Sequence, residues 1–333
     1  MHHVSLSSGV SFEVSEGLSF LEAAAKSGVH LPYSCKNGRC STCKCKIISG
    51  ETKALYSELG LTKSEIDDGW ILSCVRTATT DVVLDAKELG KGVLPPVKTQ
   101  ACRISSLEKM APDVIKIVLR LPTNAKFDFI PGQYIDVIGP GGVRRSYSLA
   151  NAPNKNNTLE LHVRAVEGGG MSHYWFNQAT VNDLLRLHGP LGTFFLRDIV
   201  QRDLIFLATG TGIAPVKAML EALSDFSEDK RPRSVTVLWG GRYESDLYFN
   251  MTVFPSWFRY IPVLSRAEGW YGEHGYVQDI LLRHKSDFLD CSVYACGSDA
   301  MIHSAKIALI ESGLPSHFFY SDAFVCTNTS VHQ

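Results

Sequence analysis

The spacing of four cysteines near the N-terminus constrains this 333-residue chain more than any other feature. Cys35, Cys40 and Cys43 follow one another in the order C-x4-C-x2-C, and Cys74 stands alone well downstream. Three thiols from one short loop and a fourth from a distant segment can converge on two irons, and this spacing is typical of [2Fe–2S] ligation. The four cysteines therefore predict such a cluster, in a fold that returns Cys74 to the loop.

Two other interpretations of these cysteines are a structural zinc site and buried thiols without a metal. Zinc sites usually combine two closely spaced ligand pairs, whereas this region offers one such pair, Cys40 and Cys43. The spacing therefore favours the iron–sulfur cluster. Gly38 is expected to take a positive φ in the tight loop. Cys45 is interpreted as a small core residue, with exchange of ligands as the alternative.

Length, charge and composition exclude several classes of protein. A chain of 333 residues is expected to contain two or three domains. The formal net charge is -1 and no basic block is present, which disfavours a nucleic-acid partner. No apolar run reaches the length of about 18 residues that a membrane span needs, and the N-terminus lacks a signal-peptide pattern. We therefore expect a cytoplasmic protein, and nine cysteines without a disulfide framework fit that reducing compartment.

The pattern of strands and helices predicts a multidomain chain of α+β and α/β type. Residues 1–91 form a small unit of short strands, capped helices and the cysteine loop. Residues 92–100 contain two consecutive prolines and are expected to be a linker. Strands separated by turn residues predict an antiparallel barrel over residues 101–197. Apolar strands alternate with helices over residues 198–333, which predicts a parallel sheet covered on both faces.

Two glycine-rich turns are candidate phosphate sites. Gly170, Met171 and Ser172 open a predicted helix after a run of glycines, and the N–H groups of a helix N-terminus bind phosphate. Gly210, Thr211 and Gly212 follow the first strand of the predicted parallel sheet, at the edge where such sheets bind ligands. The second turn lacks the full G-x-G-x-x-G pattern. The argument for the second turn as a phosphate site is its position one domain after the first turn.

Several of these motifs together resemble the ferredoxin–NADP reductase superfamily. The stretches that carry the resemblance are Arg145-Ser-Tyr-Ser148, the glycine turn before Ser172 and Ala295-Cys-Gly-Ser298. The resemblance implies three domains: a β-grasp [2Fe–2S] ferredoxin, an antiparallel flavin-binding β-barrel and a parallel-sheet nucleotide-binding domain. It also implies FAD rather than FMN, a choice that the phosphate-binding turns alone leave open.

The resemblance assigns flavin-binding roles to individual residues. Arg145 would hold the flavin pyrophosphate, and Tyr147 would pack on the flavin ring, a large aromatic surface that gains from stacking. Ser148 would hydrogen-bond near flavin N5, where the reaction takes place. The turn at residues 170–172 would meet the flavin phosphates.

The resemblance also assigns nucleotide-binding roles. The turn at residues 210–212 would face the pyrophosphate of the nicotinamide nucleotide. Arg242 could pair with the 2′-phosphate of NADPH, whereas Glu244 or Asp246 could accept a hydrogen bond from the free ribose hydroxyl of NADH. Both signals are present. NADH is the expected donor, and NADPH is the alternative.

Three further residues complete the implied reaction site. Cys296 and Gly297 would shape the place where the nicotinamide reacts. A buried core thiol is the alternative interpretation of Cys296, because free cysteines are often buried. Phe324 would be the C-terminal aromatic residue that, in the resembled proteins, lies close to the flavin.

Longer stretches narrow the resemblance to the CDP-6-deoxy-Δ3,4-glucoseen reductases. Those proteins supply electrons to a pyridoxamine-phosphate-dependent iron–sulfur dehydrase in 3,6-dideoxyhexose synthesis, the source of sugars for lipopolysaccharide. Nicotinamide gives two electrons at once, a cluster takes one, and a flavin can do both. The resemblance therefore implies electron flow from NAD(P)H through FAD and the cluster to a partner protein. The matching stretches are residues 145–153, 160–164, 189–195, 214–217, 294–298 and 319–324.

Two other functions remain open. The first is the reductase component of a mono- or dioxygenase, which has the same three domains and differs in the protein that accepts the electrons. The second is a ferredoxin-type carrier with non-catalytic reductase domains, which the intact flavin and nucleotide motifs disfavour. The expected partner is accordingly an acceptor protein, either a sugar dehydrase or an oxygenase component.

Overall fold

The computed structural model describes residues 1–90 and 92–324 and divides into two compact units, Met1–Leu94 and Pro95–Phe324. The last nine residues of the predicted nucleotide-binding domain lie outside the described residues. Strand β8 of the second unit begins at Lys98, inside the segment 92–100 that was expected to be a linker.

The first unit is a mixed sheet with a helix packed on it. The sheet order is β2-β1-β7-β3-β5, in which β1 pairs with β7 in parallel and the other pairs are antiparallel. Strands β4 and β6 form a separate pair. The elements are β1 (His2–Leu6), β2 (Ser11–Val14), α1 (Phe20–Lys26), β3 (Lys44–Ser49), β4 (Thr52–Ala54), α2 (Lys63–Asp67), β5 (Trp70–Leu72), β6 (Arg76–Ala78) and β7 (Val82–Asp85).

Both helices of this unit begin where a capping box predicts them. Ser19 accepts from the backbone N–H of Glu22, and the Glu22 carboxylate accepts from the N–H of Ser19 in return. Thr62 and Glu65 make the same reciprocal pair at the start of α2. Such boxes satisfy N–H groups that the first helical turn cannot bond internally.

The first part of the second unit is an antiparallel barrel. Its sheet order is β11-β10-β13-β8-β9-β12, and an antiparallel bridge between Leu149 and Leu161 joins the two edges of the sheet. The predicted antiparallel barrel is thus confirmed. The elements are β8 (Lys98–Ala111), β9 (Val114–Arg120), β10 (Tyr134–Ile138), β11 (Arg144–Ser148), β12 (Thr158–Arg164), α3 (Gly170–Asn177) and β13 (Leu184–Leu191).

The second part of this unit is a six-stranded sheet in which every pair is parallel. Its order is β17-β16-β15-β14-β18-β19, with the apolar β14 at its centre. This confirms the predicted parallel sheet. The elements are β14 (Asp203–Thr209), α4 (Ile213–Ser224), β15 (Ser234–Gly241), β16 (Phe258–Leu264), β17 (Glu273–His274), α5 (Val277–His284), β18 (Cys291–Gly297), α6 (Asp299–Glu311) and β19 (Phe319–Ala323).

Candidate functional site

The loop between α1 and β3 carries the first three cysteines on a backbone with several left-handed residues. Lys36, Gly38 and Ser41 have φ values of 56°, 76° and 58°. A Cβ at Gly38 would lie 2.4 Å from the carbonyl oxygen of Ser57, so the position admits no side chain. Ser41 takes a conformation that favours glycine, and its hydroxyl donates to the carbonyl of Gly60.

The four predicted ligands meet as two pairs of sulfur atoms. The Cys43 thiol donates to the Cys74 sulfur at 3.2 Å. The N–H of Cys35 donates to the sulfur of Cys40 at 3.4 Å. A hydrogen bond from the Cys35 thiol lowers the pKa of Cys40 to about 5, and the corresponding bond from Cys43 lowers the pKa of Cys74. Each pair therefore contains one sulfur whose pKa is lowered by a hydrogen bond from its partner.

This arrangement fits a two-iron cluster. A [2Fe–2S] cluster held by four cysteines takes thiolates on both of its irons, and the structure supplies the four sulfurs as two pairs. Four cysteine sulfurs in two pairs therefore suit the two irons of such a cluster.

Two residues near the loop have structural roles. Cys45 is buried in the core, where burial raises the pKa of its thiol to about 12, in agreement with its interpretation as a core residue. The carboxylate of Glu58 accepts from the N–H of Leu72 at 2.7 Å and from Arg76 at 2.6 Å. Glu58 thereby ties its loop to the segment that leads into Cys74. Sequence reasoning missed Glu58, because a single glutamate gives no local signal.

Strand alternation separates two neighbouring arginines on β11. Asp136 on β10 accepts from Arg144 at 2.7 Å and from Ser146 at 2.5 Å. Successive side chains of a strand point to opposite faces. Arg145 and Tyr147 therefore share the other face, and the side chain of Arg145 donates to the carbonyl of Arg144 at 2.8 Å.

Tyr147 contacts the helix that follows the glycine run. The indole N–H of Trp175 on α3 donates to the Tyr147 hydroxyl at 3.0 Å, and the two rings meet edge to face with centroids 6.2 Å apart. Burial raises the pKa of Tyr147 to about 12. Ser148, at the end of β11, is buried and pairs with Tyr134 on β10. Trp175, which sequence reasoning missed, thus links the helix to the predicted flavin strand.

The predicted phosphate turn is the first turn of α3. Its first helical bond runs from His173 N–H to the carbonyl of Gly169. The N–H groups of residues 170–172 precede that bond and have no partner within the helix. The Ser172 hydroxyl accepts from Val166 N–H at 2.9 Å. The Met171 side chain is buried against Gly139, near the turn that leads into Arg145. These donors and Arg145 fit a flavin pyrophosphate.

The turn at residues 210–212 lies where the strand order of the parallel sheet reverses. The chain leaves β14 towards β15 on one side and later returns to β18 on the other. A Cβ at Gly212 would lie 2.3 Å from the Cys296 carbonyl oxygen, and one at Gly297 would lie 2.2 Å from Thr209 Oγ1. Open α/β sheets bind ligands at such a reversal. The structure therefore brings the predicted turn together with Cys296 and Gly297.

Phe324 and Cys296 take different positions at this edge. The N–H of Phe324 donates to the Gly297 carbonyl at 2.8 Å, and the Phe324 side chain is exposed. Cys296 is fully buried in the apolar core, and burial raises the pKa of its thiol. This is the environment that the alternative interpretation of Cys296 expects. A contact of Cys296 with the nucleotide stays a prediction.

The candidate selectivity residues follow β15. The Asp246 carboxylate accepts from the N–H groups of Arg242 and Tyr243 at 2.8 and 3.2 Å and from the Arg164 side chain at 3.1 Å. It is buried, so it does not offer a free carboxylate to a ribose hydroxyl. Arg242 and Glu244 are both exposed. They remain the candidates for distinguishing the two nucleotides.

Comparison with known proteins identifies three family domains in this chain. A 2Fe-2S iron-sulfur cluster binding domain matches residues 4–79. An oxidoreductase FAD-binding domain matches residues 101–196, and an oxidoreductase NAD-binding domain matches residues 206–306.

Curated relatives match this chain over nearly its full length. The CDP-6-deoxy-L-threo-D-glycero-4-hexulose-3-dehydrase reductase of Yersinia pestis is 40% identical over 96% of both chains. The chain belongs to the iron–sulfur flavoprotein reductases. The terephthalate 1,2-dioxygenase reductase component 1 of Comamonas is 31% identical over 98% of this chain and 97% of its own. The crystal structure of the Amycolatopsis cytochrome P450 reductase GcoB matches with a TM-score of 0.75 and 27% identity, covering 97% of this chain and 99% of the other.

Membership of this family establishes the general chemistry. The chain is an NAD(P)H-dependent oxidoreductase with sites for a [2Fe–2S] cluster, FAD and a nicotinamide nucleotide. The predicted resemblance to the glucoseen reductases is confirmed by the identity of the dehydrase reductases. The individual site residues stay predictions that the geometry supports.

Replacing Arg145 with Ala is expected to weaken FAD binding about tenfold, because charge-assisted hydrogen bonds to phosphate contribute roughly 1.5–3 kcal/mol each. The measurements are the ratio of flavin to protein after gel filtration and the Kd for FAD from fluorescence quenching. Arg186→Ala is the control, since Arg186 is an exposed arginine elsewhere on the barrel. Full flavin retention in Arg145→Ala would show that the pyrophosphate lies elsewhere.

Replacing Glu244 with Ala is expected to raise kcat/KM for NADPH several-fold relative to NADH, because it removes a negative charge near the predicted position of the 2′-phosphate. Arg242→Ala is expected to lower the use of NADPH and to leave NADH almost unaffected. The measurement is the ratio of the two kcat/KM values, with Glu228→Ala as the exposed control. An unchanged ratio in both variants would remove these residues from the selectivity site.

Proposed function

We propose that this chain passes electrons from NADH through FAD and the [2Fe–2S] cluster to a pyridoxamine-phosphate-dependent CDP-4-keto-6-deoxyglucose 3-dehydrase in the synthesis of 3,6-dideoxyhexoses. The observation that carries this proposal is the 40% identity, over 96% of both chains, to a dehydrase reductase. The four paired cysteines and the two phosphate-binding turns support it, because each cofactor has a set of residues suited to it.

Different residues of the chain would hold each of the three cofactors. The turn at residues 210–212 would hold the nucleotide pyrophosphate at the reversal of the parallel sheet, and Arg145 with the first turn of α3 would hold that of the flavin. When bound, the flavin converts a two-electron donor into a source of single electrons for the cluster. The four cysteines would hold the cluster, which is the exit to the acceptor protein.

An oxygenase system is the second candidate for the acceptor. The relative from the terephthalate 1,2-dioxygenase system is 31% identical over 98% of this chain, so the same three domains also serve that role. The higher identity to the dehydrase reductase favours the sugar pathway. The candidate of a non-catalytic carrier is disfavoured, because the nucleotide turn and the residues of the flavin strand are intact.

The relatives support the expected partner, whereas the expected location stays a prediction. Relatives in both systems are reductase components, which supports an acceptor protein as the partner. In residues 1–90 and 92–324, no helix has the length and apolar character to cross a membrane. The predicted cytoplasmic location and the predicted lack of a nucleic-acid partner stay predictions.

Replacing Cys40 with Ser is expected to abolish electron transfer to cytochrome c or a protein acceptor and to leave NADH-dependent reduction of ferricyanide largely intact, because ferricyanide can take electrons from the flavin directly. Cys45→Ala is the matched control, since Cys45 is a buried cysteine outside the two pairs. Iron content and flavin content are measured alongside. Equal loss of both activities in flavin-loaded Cys40→Ser would contradict the order of the carriers.

The acceptor is tested by anaerobic NADH consumption with a sugar dehydrase and its CDP-4-keto-6-deoxyglucose substrate. Cytochrome c serves as the positive control. The proposal expects NADH consumption that requires both the dehydrase and the sugar. Rapid reduction of cytochrome c without sugar-dependent NADH consumption would indicate that the acceptor is an oxygenase component and not the sugar dehydrase. If protein that holds flavin and cluster reduced neither acceptor, the non-catalytic electron carrier would become the favoured function.

A further inference from the structure

One face of β12 points out of the barrel core. Leu159, Leu161 and Val163 belong to the barrel core. Because side chains alternate along a strand, Glu160, His162 and Arg164 lie on the opposite face. Apart from the bond between Arg164 and Asp246, these residues have no role in the sites described above.

Each of these three residues contacts a partner in the parallel-sheet part of the same unit. The Glu160 carboxylate lies 3.1 Å from Lys217 Nζ on α4. His162 Nδ1 lies 3.1 Å from the Tyr248 hydroxyl. The Arg164 guanidinium lies 3.1 Å from Asp246 Oδ1. We call these three pairs, Glu160–Lys217, His162–Tyr248 and Arg164–Asp246, the β12 ladder.

His162 forms the centre of the ladder as a neutral ring. Burial lowers the pKa of His162 more than its bond to Glu160 raises it. The neutral ring has one donor and one acceptor nitrogen. Nε2–H therefore donates to Glu160 at 2.8 Å, and Nδ1 accepts from the Tyr248 hydroxyl. The Glu160 pKa stays below its usual value, because the bond from His162 and the charge of Lys217 outweigh the effect of burial.

One end of the ladder reaches the predicted flavin strand. The Lys217 ammonium is buried and donates to the Ala150 carbonyl at 3.0 Å and to Glu221 at 2.5 Å. The second oxygen of Glu221 accepts from the N–H of Ala152 at 2.8 Å. These backbone groups belong to the segment that follows β11. Two charged side chains thus hold helix α4 against that segment.

The other end reaches the nucleotide turn. The ring of Tyr248 packs edge to face on Trp239 with centroids 5.2 Å apart, and the Trp239 indole donates to the Gly210 carbonyl at 3.0 Å. The Arg164 guanidinium also lies against this turn, since a Cβ at Gly210 would be 3.3 Å from Arg164 Nη1. The ladder therefore contacts the nucleotide turn through Arg164 and the backbone just beyond the flavin strand through Lys217.

The polar and charged contacts of the ladder are better suited to aligning the two parts of the unit than to stabilising the fold. Burying charges costs solvation free energy that an ion pair often fails to recover. An apolar contact could join the two parts at a lower cost. Hydrogen bonds with fixed directions instead specify a single arrangement of the two parts.

We infer that the β12 ladder is a positioning device that sets the nucleotide turn relative to the flavin strand. Its residues control how fast bound NADH reduces the flavin, and they leave the affinity for each cofactor largely unchanged. The inference rests on the proposed function only as far as flavin reduction by NADH.

The test is anaerobic stopped-flow reduction of the flavin by NADH in flavin-loaded protein without an acceptor. Tyr248→Phe removes one hydroxyl from the ladder, and Lys217→Met removes its buried charge. Both variants are expected to lower the limiting rate of flavin reduction about tenfold, because small misplacements of reacting groups are costly. The Kd for NADH and the flavin content should stay within about twofold of the parent values.

Two control variants and one double variant complete the design. Tyr260→Phe removes a hydroxyl on β16, and Lys285→Met breaks an ion pair with Asp203 measuring 2.9 Å. Both controls should keep the parent rate. Adding Glu160→Gln to Lys217→Met restores the charge balance, and its effect should be smaller than the product of the two single effects, as expected for coupled residues.

Unchanged limiting rates in folded, flavin-loaded Tyr248→Phe and Lys217→Met would overturn the inference, as would equal rate losses in the control variants. If Lys217→Met fails to fold, Tyr248→Phe decides the outcome, because it removes a single oxygen atom. The assay contains no acceptor. A failure of the proposed dehydrase partnership would therefore leave this result unaffected, and the two failures can be told apart.

Discussion

The iron–sulfur part of this protein depends on a backbone contact too close for any side chain. The carbonyl of Ser57 occupies the space where a Cβ of residue 38 would stand, and Gly38 makes that approach possible. The N–H of Gly60 donates to the Gly38 carbonyl at 2.8 Å and holds the two loops together. A Cβ at residue 38 would also lie 3.2 Å from Val75 Cγ2, so the bare backbone lets the loop with three cysteines lie beside the segment that carries Cys74. Convergence of the four thiols is therefore first a problem of backbone packing and only then one of coordination.

A similar constraint governs the nucleotide edge of the parallel sheet. Gly212 and Gly297 each allow a neighbouring backbone to approach within a distance that a Cβ would block. The adjacent strands β14 and β18 thus end in turns that are packed directly on each other, and Thr209 Oγ1 accepts from the N–H of Ser298 at 3.1 Å. The cysteine loop and the nucleotide turn consequently both lie on closely packed backbone, which suits groups that must be held in a fixed position.

The sequence predicted features that are encoded locally. Cysteine spacing, capping boxes, apolar strands and glycine turns each depend on residues close together in the chain. The cluster loop, the helix starts, the antiparallel barrel and the parallel sheet follow from them. The contacts of Glu58, those of Trp175 and the β12 ladder join residues that are distant in sequence. No local sequence pattern therefore predicts them. Asp246 shows the same limit. Its sequence position suggested a ligand for ribose, and only the fold reveals that its carboxylate is committed to Arg164 and two backbone N–H groups.

The several bonds of Asp246 also bear on how such reductases can diverge. One carboxylate shapes the loop that carries Arg242 and also bonds the guanidinium on β12. A substitution there is therefore expected to alter the nucleotide loop and the contact with the barrel together. Arg242 and Glu244 project from the same loop with exposed side chains. Evolutionary changes in coenzyme use should therefore accumulate at these two positions, while the aspartate between the two parts of the unit is retained.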